Sequence, residues 1–225
     1  VQTCALPIYL LVDQAEETAA AIRAAGGKAL AVKLDGTNAE SQAAIVAAAV
    51  AEFGGLDFYC SNLAGGTEGD IDALNYPVEV LDKSFAINTK SHFLATQAAL
   101  PAMLKRGGGA MIYTSSGAAS GAAPWQVAYP MTKNAIHALA RHVAARWGKE
   151  GIRANVICPG LVLTEAVKLH LTDEYVERGL KAVPLSPEML RSYDAAVIST
   201  HHSAYDWAMI AANASEPTGR PPRPA

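Results

Sequence analysis

The sequence predicts an α/β fold, a doubly wound parallel sheet within a single domain. Three observations carry that expectation. Short apolar runs of strand length alternate with Ala-rich segments of helical length along most of the chain. Glycine pairs, Gly26-Gly27 and Gly54-Gly55, stop two of the helical segments. Polar residues equipped for chemistry fall at or just beyond the carboxyl ends of the apolar runs, the edge where open parallel sheets bind ligands.

Taken in order, YLLVD (9–13) reads as a buried strand that ends on Asp13. QAEETAAAIRAA (14–25) reads as a helix, with acidic residues in its first turn where the helix dipole favours them. KALAVKLD (28–35) is the next strand, and AESQAAIVAAAVAEF (39–53) the next helix. LDFYCSN (56–62) is a strand, and residues 77–105 carry one long helix or two. GGGAMIYTSS (107–116) turns into a strand, a helix follows from about 130 to 147, and IRANVIC (152–158) closes the pattern. A regular alternation of this kind places helices on both faces of the sheet. Cys60 and Cys158 fall in strands expected to be buried, which makes them plain core residues.

Bulk properties exclude several function classes. At 225 residues, 51% of them hydrophobic, the chain can build one domain with a sizeable core. A net charge of −3 without a basic run argues against a nucleic-acid surface. No stretch approaches the length of a membrane-spanning helix, so no membrane partner is expected. The three cysteines form neither a disulfide framework nor a zinc pattern, which suits the cytoplasm. The six histidines show no metal-ligand spacing, and no metal is assigned.

The chemistry-bearing residues are unevenly distributed. Tyr129 and Lys133 lie four apart in AYPMTKNAIHALARHVAARW, so a phenol and an ammonium share one helix face. Ser116 ends the strand that precedes that helix. Asn62 stands directly after the strand LDFYC, within SNLAGG, and Asn88 lies in FAINTK. Pro159 and Gly160 follow the strand RANVIC, with Val162 and Thr164 close behind. A Tyr-x-x-x-Lys pair alone is commonly a solvated helix face. Joined to a serine, an asparagine and a Pro-Gly turn at the same sheet edge, it is a proton-transfer site for an alcohol or a carbonyl.

In the order and spacing of these motifs, from Asp35 through Asn62-Leu63-Ala64-Gly65, Asn88, Ser116, Tyr129 and Lys133 to Pro159-Gly160, the chain resembles the short-chain dehydrogenase/reductase family. The resemblance runs from about Tyr9 to Leu185 and implies a Rossmann-like sheet. It implies that Tyr129 is the general acid/base and that Lys133 favours its phenolate and bonds the nicotinamide ribose. Ser116 would hold the substrate oxygen, and Asn88 would anchor a water in a proton relay. On the cofactor side, Asp13 would accept from the ribose hydroxyls and select NAD over NADP. Asp35 would meet the adenine, while Asn62, Ala64 and Gly65 line the adenosine ribose. Pro159, Gly160, Val162 and Thr164 would border the nicotinamide. The implied activity is hydride transfer between NAD(H) and a secondary alcohol or ketone, in a homodimer or homotetramer.

The chain departs from the family pattern in several places. Gly36 stands where a bulky aliphatic often packs on adenine, and Leu63 replaces the second Asn of the usual pair. Pro130 directly follows Tyr129, which a helix tolerates in its first turn and not deeper. The family's first strand and glycine-rich phosphate turn are absent before Asp13, and residues 1–8, VQTCALPI, resemble the translation of a sequencing adapter. The expected organisation is therefore a non-native segment at 1–8, the dehydrogenase domain at 9–185, a divergent segment at 186–215 and a Pro-rich disordered tail at 216–225. The alternative function is a truncated, non-catalytic fragment or pseudoenzyme that serves only as a dinucleotide-binding or scaffold protein.

Overall fold

The structure, a computed structural model, describes residues 4, 5, 8, 9, 12–65, 69–121 and 126–160. The chain divides into two compact units, residues 1–160 and 161–225, and the described residues belong to the first. Its elements run β1 (Cys4–Ala5), β2 (Ile8–Tyr9), α1 (Val12–Ala24), β3 (Lys28–Ala29), β4 (Val32–Lys33), α2 (Ala39–Phe53) and β5 (Phe58–Ser61). There follow α3 (Val78–Phe85), a π-helical turn (Ala86–Lys90), α4 (Ser91–Arg106), β6 (Gly109–Thr114), α5 (Ala128–Trp147) and β7 (Ile152–Ile157).

Every described strand pair is parallel. β1 pairs with β3 and β2 with β4, while β5, β6 and β7 form a separate three-stranded sheet in that order. Each strand of that sheet is reached through a helical crossover, the connection that parallel pairing requires. The strand expected over 28–35 is interrupted, appearing as two short pieces, β3 and β4. Of the strand expected over 9–13, Tyr9 lies in β2, and residues 10 and 11 lie outside the described residues. Val12 and Asp13 already belong to α1, so Asp13 sits in a helical first turn and not at a strand end. An acidic side chain is stabilised there by the unpaired N–H groups of the helix start, which competes with the extended reading of the apolar run before it.

α2 spans the expected residues because both of its ends are written in the sequence. Asn38 caps its start by accepting from Ser41 N at 2.8 Å, and Gly54 ends it in the left-handed region at φ 80°. The core lies between the β5-β6-β7 sheet and helices α2, α4 and α5. Ile45, Ala99, Met103, Ile136 and Val143 pack there against Tyr59, Met111, Tyr113 and Ile152. Two polar residues extend this core: Tyr59 Oη donates to Gln42 Oε1 at 2.8 Å, and Tyr113 Oη shares a 2.7 Å bond with Thr96 Oγ1.

The opposite face of β5 is open among the described residues. Phe58 is 50% exposed, and Cys60, on the same side of the strand, is exposed as well. Cys158, just past the end of β7, is also exposed, so neither cysteine is the core residue expected. Alternation along the strands decides this: Tyr59 and Ser61 face the helices, which leaves Phe58 and Cys60 on the uncovered side. Among the described residues no helix is long and apolar enough to cross a membrane.

Two glycines fix where β6 and β7 begin. Gly109 N donates to Gly151 O at 3.2 Å, so the turns that end α4 and α5 meet. Gly108 has φ 142°, and a Cβ on it would lie 2.8 Å from the Gly151 carbonyl oxygen. Gly108→Ala therefore combines backbone strain with a clash against main chain and is expected to cost roughly 2 kcal/mol or more. Gly148 has a helical φ of −61° and open space around it, so Gly148→Ala is expected to gain about 0.5 kcal/mol. Urea midpoints of the two variants against the parent check both signs, and equal midpoints would refute the contact.

Candidate active site

The carboxyl edge of β5, β6 and β7 gathers most of the residues singled out in the sequence. Thr114 ends β6 level with Ile157 of β7, and Ser61 of β5 is level with Tyr113. Just beyond, Ser115 N donates to Ile157 O at 2.8 Å, and Gly117 N donates to Pro159 O at 2.8 Å. Ser116 is thereby fixed beside Pro159. Its hydroxyl accepts from Ala118 N at 3.2 Å and starts a single 3-10 turn, Gly117–Ala119. Asn134 of α5 holds that turn through a 2.7 Å bond from Nδ2 to Ala119 O.

α5 begins at Ala128, so Tyr129 and Pro130 occupy its first turn. Pro130 costs the helix nothing there, because the N–H it lacks would have had no partner within the helix. Tyr129 and Lys133 face the same space, with Lys133 Nζ 5.8 Å from the centre of the Tyr129 ring. Lys133 is 1% exposed, and its ammonium donates to Leu63 O at 3.1 Å and Thr114 O at 3.0 Å. These carbonyls lie just past β5 and at the end of β6, so the cation bridges the edges of two strands. Removal from water pushes the Lys133 ammonium down to about 8.

Asn88 is fully buried in the π-helical turn between α3 and α4. Such turns widen a helix locally and often mark functional positions. Its Nδ2 donates to Gly65 O at 2.7 Å and Ser84 O at 3.1 Å, and its Oδ1 accepts from Gly65 N at 3.1 Å. The amide thus grips both backbone groups of Gly65, and its two N–H groups are fully used.

Two further residues belong to this cluster, and the sequence reading passed over both. His92 lies four residues after Asn88, one turn along the helix, and is fully buried. Its Nε2 is 3.1 Å from Leu63 O and its Nδ1 is 2.7 Å from Ser61 Oγ. A carbonyl only accepts, so the proton is assigned to Nε2, and Nδ1 accepts from the Ser61 hydroxyl. Burial, with the nearby Lys133 charge, pushes His92 down to about 4. The four-residue spacing from Asn88 was the available signal. Asp70 is the other. Its Oδ1 accepts from Val127 N at 2.9 Å and Ala128 N at 3.0 Å, and its Oδ2 accepts from Tyr129 N at 2.7 Å. No local pattern marks a cap supplied from 57 residues away.

The residues expected on the cofactor side are more dispersed. Asn62 and Ala64 are exposed after β5, with Gly65 half-buried. Asp35 is exposed. Its Oδ1 accepts from Thr37 N at 2.9 Å and Thr37 Oγ1 at 2.7 Å, which holds the carboxyl below its ordinary range. Asp13 is exposed in α1 and makes no hydrogen bond to the cluster among the described residues. Pro159 is half-buried and Gly160 exposed, while Val162 and Thr164 lie outside the described residues. An ideal Cβ on Gly36 would lie 2.9 Å from Leu63 Cδ1 and 3.1 Å from Cδ2, so the Leu63 side chain covers that glycine.

A family model described as Enoyl-(Acyl carrier protein) reductase matches residues 6–198. The chain belongs to the short-chain dehydrogenase/reductase family. It is 36% identical over 168 residues to L-rhamnose 1-dehydrogenase (NAD(P)(+)) of Sphingomonas sp. (strain SKA58), covering 72% of this chain and 65% of that protein. It is 34% identical over 146 residues to 2-(R)-hydroxypropyl-CoM dehydrogenase of Xanthobacter autotrophicus (strain ATCC BAA-1158 / Py2), covering 64% of this chain and 58% of that protein. The chain thus spans less than two thirds of the length of these two relatives. Among solved structures, a 7 alpha-hydroxysteroid dehydrogenase complexed with NADH and 7-oxo glycochenodeoxycholic acid matches with a TM-score of 0.72 and 29% identity. That match covers 77% of this chain and 67% of the other.

His92 makes the cluster acid-sensitive. Its folded value of about 4 lies below the ordinary 6.5, so between those pH values the unfolded chain binds more protons. The resulting stability is complete above pH 6.5 and falls by about 3 kcal/mol as pH drops through 4. In His92→Gln this component vanishes, so the stability gap between parent and variant should shrink as pH falls from 7 to 4.5. Urea titrations at both pH values measure it, and a constant gap would contradict the assignment.

Proposed function

We propose that this chain is a nicotinamide-dependent oxidoreductase that interconverts a secondary alcohol and a ketone, with Tyr129 as general acid/base. The observation that carries the reading is the buried Lys133 ammonium, clamped by two strand-end carbonyls and 5.8 Å from the Tyr129 ring. The relatives named above, dehydrogenases of L-rhamnose, of 2-(R)-hydroxypropyl-CoM and of a 7 alpha-hydroxysteroid, support hydride exchange between a hydroxyl-bearing carbon and its carbonyl form as the class of reaction.

The residues present suit a nicotinamide dinucleotide. An ammonium has three N–H groups, and Leu63 O and Thr114 O account for two of them among the described residues. The third is a donor that a ribose hydroxyl would satisfy. Asp35 through Oδ2, Asn62, Ala64, Gly65, Pro159 and Gly160 would hold the rest, joined by Val162 and Thr164. When bound, the dinucleotide supplies the hydride acceptor or donor. Tyr129 takes the hydroxyl proton as the alcohol is oxidised and returns it as the ketone is reduced. Lys133 places positive charge beside the ring where negative charge develops on the phenol oxygen. The Ser116 hydroxyl holds the substrate oxygen. Asn88 contributes through Gly65, and because both its N–H groups are committed, a water relay at Asn88 would draw on its Oδ1 or on main-chain groups.

NAD is preferred over NADP in this reading, on the strength of Asp13, an exposed carboxylate in the first turn of α1 that would repel a 2′-phosphate. Assembly as a homodimer or homotetramer would use exposed apolar side chains such as Phe93 of α4 and Met131 of α5. The cytoplasm is the compartment that suits the free cysteines.

The test is NADH formation with a panel of secondary alcohols, read by absorbance. Tyr129→Phe is expected to lower kcat by 10²-fold or more, and Lys133→Met to lower it while weakening dinucleotide binding. Full activity in Tyr129→Phe would end the proposal. An unchanged NAD-to-NADP ratio in Asp13→Ala would end the cofactor preference alone.

A further inference from the structure

We propose that Asp70 is a positioning residue for the reaction, holding the Tyr129 main chain, and through it the phenol, against Lys133. The inference rests on the catalytic reading of Tyr129 given above.

The argument starts from the place of Tyr129 in its helix. The first N–H groups of any helix have no partner within it, and first turns fray. A general acid/base in the first turn therefore stands on the least restrained part of α5. In this chain the account of those groups closes. Val127 N, Ala128 N and Tyr129 N all donate to the Asp70 carboxylate, at 2.9, 3.0 and 2.7 Å. Pro130 has no N–H, and Met131 N donates to Val127 O at 3.4 Å. Carboxylate acceptors make the stronger class of hydrogen bond, and a negative charge at a helix start is favoured by the dipole.

The chain after Asp70 is locally ordered. Asp72 Oδ1 accepts from Leu74 N at 2.9 Å and from Asn75 N at 3.3 Å, which folds residues 72–75 into a turn directly behind it. On the other side, Gly65 is gripped by Asn88. Residues 65 and 70 are thus tied to two different walls of the site, Gly65 to the π-helical turn and Asp70 to α5. The two carboxylate oxygens have separate duties. Among the described residues Oδ1 serves Val127 and Ala128, and Oδ2 serves Tyr129 alone. Asp70→Asn keeps an acceptor for the first pair and loses the one facing Tyr129, whereas Asp70→Ala loses all three.

The experiment compares the full chain with its Asp70→Asn, Asp70→Ala, Tyr129→Phe and Asn38→Ala variants. Asn38→Ala removes the α2 cap, away from Tyr129, and controls for lost stability. Steady-state kinetics are read together with amide hydrogen exchange. In Asp70→Asn, kcat should fall about 10-fold or more, with KM for the alcohol within about twofold. The Tyr129 amide should exchange faster while Val127 and Ala128 stay protected. Asp70→Ala should expose all three amides, and Asn38→Ala should leave kcat unchanged. Asp70→Asn with kcat within twofold of the parent, or with Tyr129 exchange unchanged, overturns the proposal. If Tyr129→Phe is itself without effect, the catalytic reading fails first; a Tyr129 amide that still loosens in Asp70→Asn shows that only the catalytic meaning of the tie is lost.

Discussion

The arrangement of the site depends on a single buried cation. Lys133 brings a charge into a place with almost no water, which is tolerable only where polar groups replace its hydration. Leu63 O and Thr114 O do so, and they lie within reach of one ammonium because β5 and β6 run parallel and in register to the same edge. The arrangement has a cost. With a folded value near 8 against 10.5, the unfolded chain holds the proton more tightly, so Lys133 opposes folding at neutral pH and does so less as pH rises from 8 to 10.5. A group retained against that penalty is explained by what it does to its neighbours.

Those neighbours are constrained in turn. His92 shares the Leu63 carbonyl with Lys133, so its neutral form is favoured by burial and by the adjacent positive charge. The imidazole then works as a strut from Ser61 at the end of β5 to Leu63 two residues on. Asn88 grips Gly65 a further two residues on. The loop after β5 is therefore fixed at alternate positions by side chains from one helical segment, and the carbonyl that Lys133 needs is fixed with it. Ser115 completes the frame by donating to Lys133 O at 2.8 Å, which seats α5 on the end of β6.

Local chemistry was legible in the sequence and distant chemistry was not. The Tyr129–Lys133 face follows from helix geometry alone, and the bounds of α2 follow from Asn38 and Gly54. The parallel pairing of β5, β6 and β7 follows from the alternation of strand and helix. The strand end expected at Asp13 falls inside α1, because an apolar run before an acid looks alike as a strand end and as a helix start. Cys60 was misread because coverage of a strand face depends on which helices pack there, which the strand's own residues do not state. Asp70 was invisible, since its partners lie at 127–129 and nothing around it announces them.

The clearest lesson lies in two departures that looked independent. Gly36 lacks the aliphatic side chain often found after the acid at the end of that strand, and Leu63 lacks the amide usually found after Asn62. Taken one at a time, each is a loss: an apolar platform in the first case, a structural hydrogen bond in the second. In three dimensions they are one exchange. The Leu63 Cδ atoms occupy the space that a side chain at 36 would need, so apolar surface is kept at that point and its source has moved across to the neighbouring loop. The Leu63 main chain has a task of its own, its carbonyl accepting from both His92 and Lys133. A side chain added at 36 would have to displace the Leu63 Cδ atoms, because packed interiors leave little free volume to take up both.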